Sequence, residues 1–178
     1  TARGGHGGIR SVTVDLTGRF VATGNETKHG RIWRASDLMS LTRLTGHKSV
    51  IERLVFSQSG GMLATADWKG RFHLWNTSQL LPPMSSSHHH GPIRFIKPSP
   101  DRTLLATGQV NFGNNPPMDG SIALTEITTG RLRARLNGHH GDVTGFEFLE
   151  NGQKAVSAGM DGTIRLWDVP EAKQVRVI

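Results

Sequence analysis

Short apolar runs alternate with turn dipeptides along the chain, and residues 138–168 show this pattern most clearly. Three apolar runs there are separated by Asn151-Gly152 and by Asp161-Gly162. Runs of this length between Asn-Gly and Asp-Gly pairs are typical of antiparallel strands joined by tight turns. This stretch therefore predicts three strands of one small sheet.

The same pattern occurs four times in register. In each unit a hydroxyl residue follows the first apolar residue by fourteen positions, and in three units a tryptophan follows ten positions later. The third unit instead reaches Thr125 after eighteen positions, with the extra residues in a loop-like stretch of Asn, Gly and Pro. We expect units at approximately residues 4–44, 45–87, 88–137 and 138–178. The first apolar residues are Ile9, Ile51, Ile93 and Val143, the hydroxyl residues are Thr23, Thr65, Thr107 and Ser157, and the tryptophans are Trp33, Trp75 and Trp167.

The fourth unit begins with Gly138-His139 and ends with Trp167-Asp168. In this it resembles one unit of the WD-repeat family of β-propellers. The resemblance implies an all-β fold of four four-stranded antiparallel sheets, stacked because one small sheet cannot bury its own faces. Since neither chain end carries a strand that would complete a sheet at the other end, we expect an open arc. We expect its two flanks to be covered by further sheets of a longer propeller or by another subunit, including a second copy of the chain.

The resemblance also implies a set of four hydrogen-bonded side chains that holds the fourth sheet together. A hydrolase also uses Ser, His and Asp, but a nucleophile needs a cleft and an oxyanion site, and here a tryptophan caps the set. We therefore expect a non-catalytic protein with no cofactor. The four residues are His139, Ser157, Asp161 and Trp167.

The other units depart from this set. In the first, Thr27 stands where the family has Asp, and His6 lies one position out of register. In the second, Lys69 stands at the Asp position, so the carboxylate is missing unless Asp67 replaces it through a shifted turn. In the third, Thr125 replaces the tryptophan, and we expect Pro98 to end the first strand early because proline cannot donate to a strand ladder.

Composition narrows the possible functions. The chain has no cysteine, which excludes disulfides and cysteine-based metal or redox sites. It has no apolar run long enough to span a membrane, so we expect no membrane partner. The family resemblance favours an intracellular, cytoplasmic location. Clustered histidines such as His88-His89-His90 can bind metal, but the register assigns His89 to the loop before a strand, so we expect no metal site.

In WD-repeat proteins the contact face carries the loops before the first strands and the turns between second and third strands. Arginine among large apolar side chains is typical of a binding hot spot, which suggests a peptide or protein partner, possibly acidic. The candidates are Arg10, Glu52, Arg94 and Thr144, just after the first apolar residue of each unit, and Trp68, Phe112, Met118 and Met160 at the turn tips.

The formal charge of +7 leaves an alternative open, namely binding of nucleic acid or ribonucleoprotein. Arginine alternates with apolar residues in residues 129–136, but a nucleic-acid groove also needs aromatic side chains between the cations, and this segment has none. Residues 106–110 with the following loop resemble ciliary and microtubule-associated WD-repeat proteins, so microtubule binding is a further alternative.

Overall fold

The structure, a computed structural model, describes residues 7–79, 84–110 and 120–178. Within those ranges the chain forms sixteen strands, arranged in four separate four-stranded antiparallel sheets, and a short 3₁₀ turn at Glu150–Gly152. No helix in these ranges is long and apolar enough to cross a membrane. The prediction of an all-β fold built from four-stranded antiparallel sheets is confirmed.

The chain divides into two compact units, and unit one (Thr1–Ser87) contains sheets A and B. In both sheets the strands follow one another in chain order. Sheet A consists of β1 (Ile9–Val14), β2 (Phe20–Asn25), β3 (Gly30–Arg34) and β4 (Ser40–Leu44). Sheet B consists of β5 (Ile51–Phe56), β6 (Met62–Asp67), β7 (Arg71–Asn76) and β8 (Met84–Ser87).

Unit two (His88–Ile178) contains sheets C and D, again with neighbouring strands consecutive in sequence. Sheet C consists of β9 (Ile93–Pro98), β10 (Leu104–Gln109), β11 (Gly120–Glu126) and β12 (Leu132–His139). Sheet D consists of β13 (Val143–Leu149), β14 (Lys154–Gly159), β15 (Ile164–Asp168) and β16 (Lys173–Val177).

The core of unit one lies between its two sheets. Successive side chains of a strand point to opposite faces of its sheet. The apolar side chains on one face of sheet A pack against those on one face of sheet B, and six of them are buried there. Gly24 allows the sheets to come this close, because a Cβ at that position would lie 2.6 Å from Cγ2 of Ile51. The six are Ala22, Ile32, Leu44, Phe56, Leu63 and Trp75.

The core of unit two is built in the same way. The rings of Phe95 in β9 and Phe146 in β13 stack with their centroids 5.6 Å apart, and Trp167 is buried in the same cluster. The sequence suggested that Pro98 would end β9 early, but the strand includes Pro98, which pairs with Leu105. Proline is tolerated there because β9 has only one neighbouring strand and Pro98 is its last residue.

We predict that Leu63→Ala destabilises unit one by about 2–5 kcal/mol, because it leaves a cavity between two sheets that are otherwise fully packed. Denaturant unfolding followed by tryptophan fluorescence measures this loss. Leu16→Ala is the control, since Leu16 is 77% exposed and its truncation is expected to change stability by no more than about 0.5 kcal/mol. Equal losses in the two variants would contradict this account of the core.

Candidate functional site

Every sheet has a β-bulge at the same place, one residue after its first strand begins. The pairing of the first two strands shifts register there, and one residue of the first strand has no partner opposite. Such bulges re-aim a side chain and are common beside functional sites. The four bulge residues are the candidates Arg10, Glu52, Arg94 and Thr144.

The turn between the second and third strands lies beside this bulge, at what we call the loop end of each sheet. The residue at the turn tip donates its backbone N–H to the carbonyl oxygen of the residue that precedes the first strand. The bulge residue and the turn-tip residue are thereby held close together in all four sheets. The four bonds are Glu26 to Gly8 (3.1 Å), Trp68 to Val50 (3.0 Å), Val110 to Pro92 (2.8 Å) and Met160 to Asp142 (2.8 Å).

The loop ends of sheets A and B carry two ion pairs and one exposed indole. Nη2 of Arg10 lies 2.9 Å from Oε1 of Glu26, and Nη1 of Arg53 lies 3.7 Å from Oε2 of Glu52. Trp68 has 46% of its surface exposed. The candidates Arg10 and Glu52 therefore already have a neighbour of opposite charge, and Trp68 is the large apolar group at this end.

At the loop end of unit two, the candidates are mostly uncharged. Thr144 is exposed, and its hydroxyl donates to the carbonyl oxygen of Ala158 at 3.2 Å. Met160 is 70% exposed, whereas Arg94 is only partly exposed. The candidates Phe112 and Met118 lie outside the described residues.

The structure brings together the four hydrogen-bonding residues of sheet D. Since a carboxylate only accepts, Nδ1–H of His139 donates to Asp161 at 3.0 Å, and the Ser157 hydroxyl then donates to Nε2 of His139 at 2.7 Å. Nε1–H of Trp167 donates to the same hydroxyl oxygen at 2.8 Å. His139, Ser157 and Trp167 are each no more than 1% exposed. The Ser157 hydroxyl is thus closed off from solvent and fully used within the sheet.

Asp161 also ties the loop before sheet D to the turn. Its carboxylate accepts the backbone N–H groups of His140 at 3.0 Å and of Thr163 at 3.1 Å. Burial raises the pKa of Asp161, but the hydrogen bonds from His140, His139 and Thr163 outweigh it and hold this pKa well below its usual value. The carboxylate is therefore ionised at neutral pH.

In sheet B the carboxylate comes from Asp67, the replacement that the sequence left open, but the turn is not shifted: its backbone hydrogen bonds match those of sheet D. Nδ1–H of His47 donates to Oδ2 of Asp67 at 3.1 Å, and Nε2 of His47 lies 2.7 Å from Oγ1 of Thr65, which also accepts Nε1–H of Trp75 at 2.9 Å. Oδ1 of Asp67 accepts the backbone N–H groups of Lys69 at 2.9 Å and Arg71 at 3.1 Å. One carboxylate thus fixes both the loop and the turn.

The two carboxylate positions exclude each other for a steric reason. Asp67 follows its hydroxyl residue by two positions, and the same position in sheet D is Gly159. A Cβ at Gly159 would lie 2.4 Å from Nδ1 of His139 and 2.8 Å from Oδ1 of Asp161. The carboxylate of Asp161 can therefore reach His139 only because position 159, two residues before it, is glycine. The signal in the sequence that separates the two cases is the residue two positions after the hydroxyl, which is Asp67 in sheet B and Gly159 in sheet D.

Sheets A and C contain parts of the set. In sheet A, Nε1–H of Trp33 donates to Oγ1 of Thr23 at 3.0 Å, and Asn25 replaces the carboxylate by accepting the backbone N–H groups of residues 27 and 29. In sheet C, Nε2 of His89 lies 2.7 Å from Oγ1 of Thr107. Thr125 is buried where the other sheets have Trp, and within the described part of the chain its hydroxyl has no hydrogen-bond partner.

His73 is a buried histidine that the sequence did not single out. It is 4% exposed, and neither ring nitrogen has a hydrogen-bond partner among the described residues. Its ring centroid lies 4.1 Å from that of His47. Burial lowers the pKa of His73 to about 4, with a further lowering from the charges of His47 and Arg71 and an opposing effect from Asp67.

The three consecutive histidines have separate partners. Nε2 of His88 lies 3.3 Å from the carbonyl oxygen of Gly130, His89 bonds Thr107, and the backbone N–H of His90 donates to Oε1 of Gln109 at 3.0 Å. Over the ranges that the structure describes, no three His, Asp or Glu side chains are grouped so as to hold a metal ion.

We predict that Asp67→Ala destabilises unit one by about 3 kcal/mol, because it leaves His47 and two backbone N–H groups without their acceptor in a buried place. Thermal and denaturant unfolding measure the loss. Lys69→Ala, at the position where the family has Asp, is expected to change stability by no more than about 0.5 kcal/mol. The reverse ranking of these two variants would contradict the role of Asp67 as the carboxylate of sheet B.

We predict that stability falls as pH drops from 6.5 toward 4, because His73 stays neutral when folded but takes up a proton in the unfolded chain. Above pH 6.5 His73 is neutral in both the folded and the unfolded chain, so its titration does not lower the free energy of unfolding. By pH 4 its protonation in the unfolded chain lowers that free energy by up to about 3 kcal/mol. His73→Leu has no such group to protonate, so its advantage over the wild type should grow between these pH values. Parallel pH profiles from denaturant unfolding would contradict the prediction.

Several curated proteins are similar to this chain over most of its length. It is 25% identical to the angio-associated migratory cell protein of Homo sapiens, over 91% of the chain and 35% of that protein. It is 28% identical to the nuclear distribution protein nudF of Emericella nidulans, over 96% and 32%. It is 25% identical to cilia- and flagella-associated protein 52 of Macaca fascicularis, over 97% and 28%. The chain thus spans about a third of these relatives' length or less.

A family profile described as "WD domain, G-beta repeat" matches residues 2–34, 38–76 and 130–168, together more than half of the chain. The matched segments include the Trp33, Trp75 and Trp167 hydrogen bonds described above. Most of sheet C, with Thr125 in place of Trp, lies outside them. The chain belongs to the WD-repeat family.

Proposed function

We propose that this chain is a non-catalytic scaffold that binds a peptide or protein segment through the loop ends of its sheets. The observation that carries the proposal is the fourfold pairing of a bulge residue with a turn-tip residue at one end of every sheet. Members of the family are generally protein-interaction scaffolds, which supports this function. The names of these relatives do not point to one common partner. The proposal therefore specifies the class of partner, a peptide or protein segment.

Rigidity of the loop ends supports this proposal. The Asp67 and Asp161 carboxylates fix the backbone of both the turn and the loop before the first strand. A surface that is already ordered loses little conformational entropy on binding, so more of its contact energy remains as affinity. Exposed large side chains at such places, Trp68 and Met160 here, are typical anchors.

The buried state of the Ser157, His139 and Asp161 set supports a non-catalytic role. The hydroxyl donates to His139 and accepts from Trp167, and it is 1% exposed, so a substrate has no access to it. We assign this set to holding sheet D together. We also propose that the protein acts inside the cell, as expected from the family resemblance.

We predict that Trp68→Ala and Met160→Ala each reduce retention of specific protein partners in affinity purification with quantitative mass spectrometry. A central anchor typically contributes about 2 kcal/mol or more, which corresponds to a loss of about thirtyfold in affinity. Leu16→Ala is the control, because Leu16 is also apolar and exposed but lies in the turn between β1 and β2.

The two substitutions should leave the unfolding midpoint unchanged, since both side chains are exposed. Unchanged retention in folded Trp68→Ala and Met160→Ala, or an equal loss in Leu16→Ala, would contradict binding through the loop ends.

A further inference from the structure

We propose that the loop end of sheet B is a binding site for single-stranded nucleic acid, in addition to the protein-binding role. The site consists of the exposed indole of Trp68 and the three cations Lys48, Lys69 and Arg71. An aromatic ring on which a base stacks, with cations that reach the adjacent phosphates, is the combination that sequence-tolerant single-strand binding uses. We call these four residues the Trp68 site.

The positive charge of the chain is concentrated in unit one. Residues 1–87 contain eleven Lys and Arg against five Asp and Glu, whereas residues 88–178 contain ten against nine. Six of the seven net positive charges therefore belong to unit one. Such an imbalance within one unit is the electrostatic footprint of an anionic partner.

The acidic residues of unit one are already engaged and do not neutralise the Trp68 site. Asp15 and Asp67 are buried and hydrogen-bonded. Glu26, Asp37 and Glu52 lie in ion pairs with arginines 10, 34 and 53. Within the described part of unit one, none of the ion pairs includes Lys48, Lys69 or Arg71.

The buried Asp67 carboxylate fixes the backbone on both sides of Trp68. Its Oδ1 accepts the backbone N–H groups of both Lys69 and Arg71, and its Oδ2 accepts from His47, the residue directly before Lys48. The Trp68 backbone is fixed separately by its bond to the carbonyl oxygen of Val50. The backbone under all four residues is thus ordered before a ligand arrives.

Sheet D offers an internal comparison at the same positions. His140, Met160, Asp161 and Thr163 stand there in place of Lys48, Trp68, Lys69 and Arg71. The backbone hydrogen bonds are alike, but the aromatic ring and all three cations are absent, and an acidic residue takes the place of Lys69. The WD-repeat framework alone therefore does not require these side chains.

The surroundings of the ring favour a nucleic acid over an acidic peptide. An acidic peptide can pair its carboxylates with cations, but it has no flat group that covers the face of an indole. The residues that follow Trp68 are Lys69, Gly70 and Arg71. A ring and cations close together in the chain suit a base and its neighbouring phosphates, because every base has a face that can stack.

The test is fluorescence anisotropy of the full chain with a short, end-labelled oligothymidylate. Trp68→Ala should weaken binding by about 5- to 150-fold, the range measured for one stacked base, whereas Trp68→Phe should retain most of the affinity. The triple variant K48Q/K69Q/R71Q should reduce the slope of log affinity against log salt by about 2, since each phosphate that a cation neutralises contributes about 0.7 to that slope.

The matched control is R19Q/R34Q/R43Q, which removes the same charge from exposed positions elsewhere in unit one. It should leave the slope nearly unchanged. Equal effects of the two triple variants, or no effect of Trp68→Ala, would overturn the proposal. So would blunt duplex DNA that binds as tightly as the single strand, or oligoglutamate that binds with the same dependence on Trp68. Unfolding midpoints establish that each variant is folded.

Discussion

The fold depends on a hydroxyl group in the second strand of each sheet, which is buried in sheets B, C and D and partly buried in sheet A. A hydroxyl both donates and accepts, so one oxygen can serve an imidazole and an indole at once. In sheets B and D it joins the loop before the first strand to the third strand, segments eighteen residues before it and ten residues after it. Without it, buried polar groups from both segments would lose their partner, which is costly in a core.

This constraint leaves freedom in how the carboxylate is supplied. Asp67 reaches His47 from the end of a strand, whereas Asp161 reaches His139 from within a turn. Either way, the same carboxylate also accepts two backbone N–H groups, so the loop and turn become a single ordered element. Among their described contacts, sheets A and C each keep one of the bonds to the hydroxyl, and Asn25 in sheet A shows that an amide oxygen suffices for the turn.

Most of the fold could be predicted from the sequence because its repeated interactions act at fixed separations. The hydroxyl residue and the tryptophan face each other on paired strands, so their spacing appears directly in the chain, as for Ser157 and Trp167. The role of Asp67 could not be settled, because it depends on whether a glycine or a side chain stands beside the histidine ring. The bulges at Arg10 and Thr144 could not be predicted either, because a shift in strand register depends on how the strands pair in three dimensions. Pro98 was misjudged because an edge strand tolerates a residue without an N–H.

The residues that hold each sheet together are different from the residues that form its loop end. This separation explains how one framework can acquire different surfaces. The hydrogen-bonding side chains point into the sheets and are nearly inaccessible, as Thr65 and Ser157 are. The bulge and turn-tip residues are positioned by backbone hydrogen bonds, which do not depend on the identity of their side chains. Selection can therefore change charge or shape at the loop ends without loss of stability. The Trp68 and Met160 tips, alike in backbone and unlike in chemistry, are two results of that freedom within one chain.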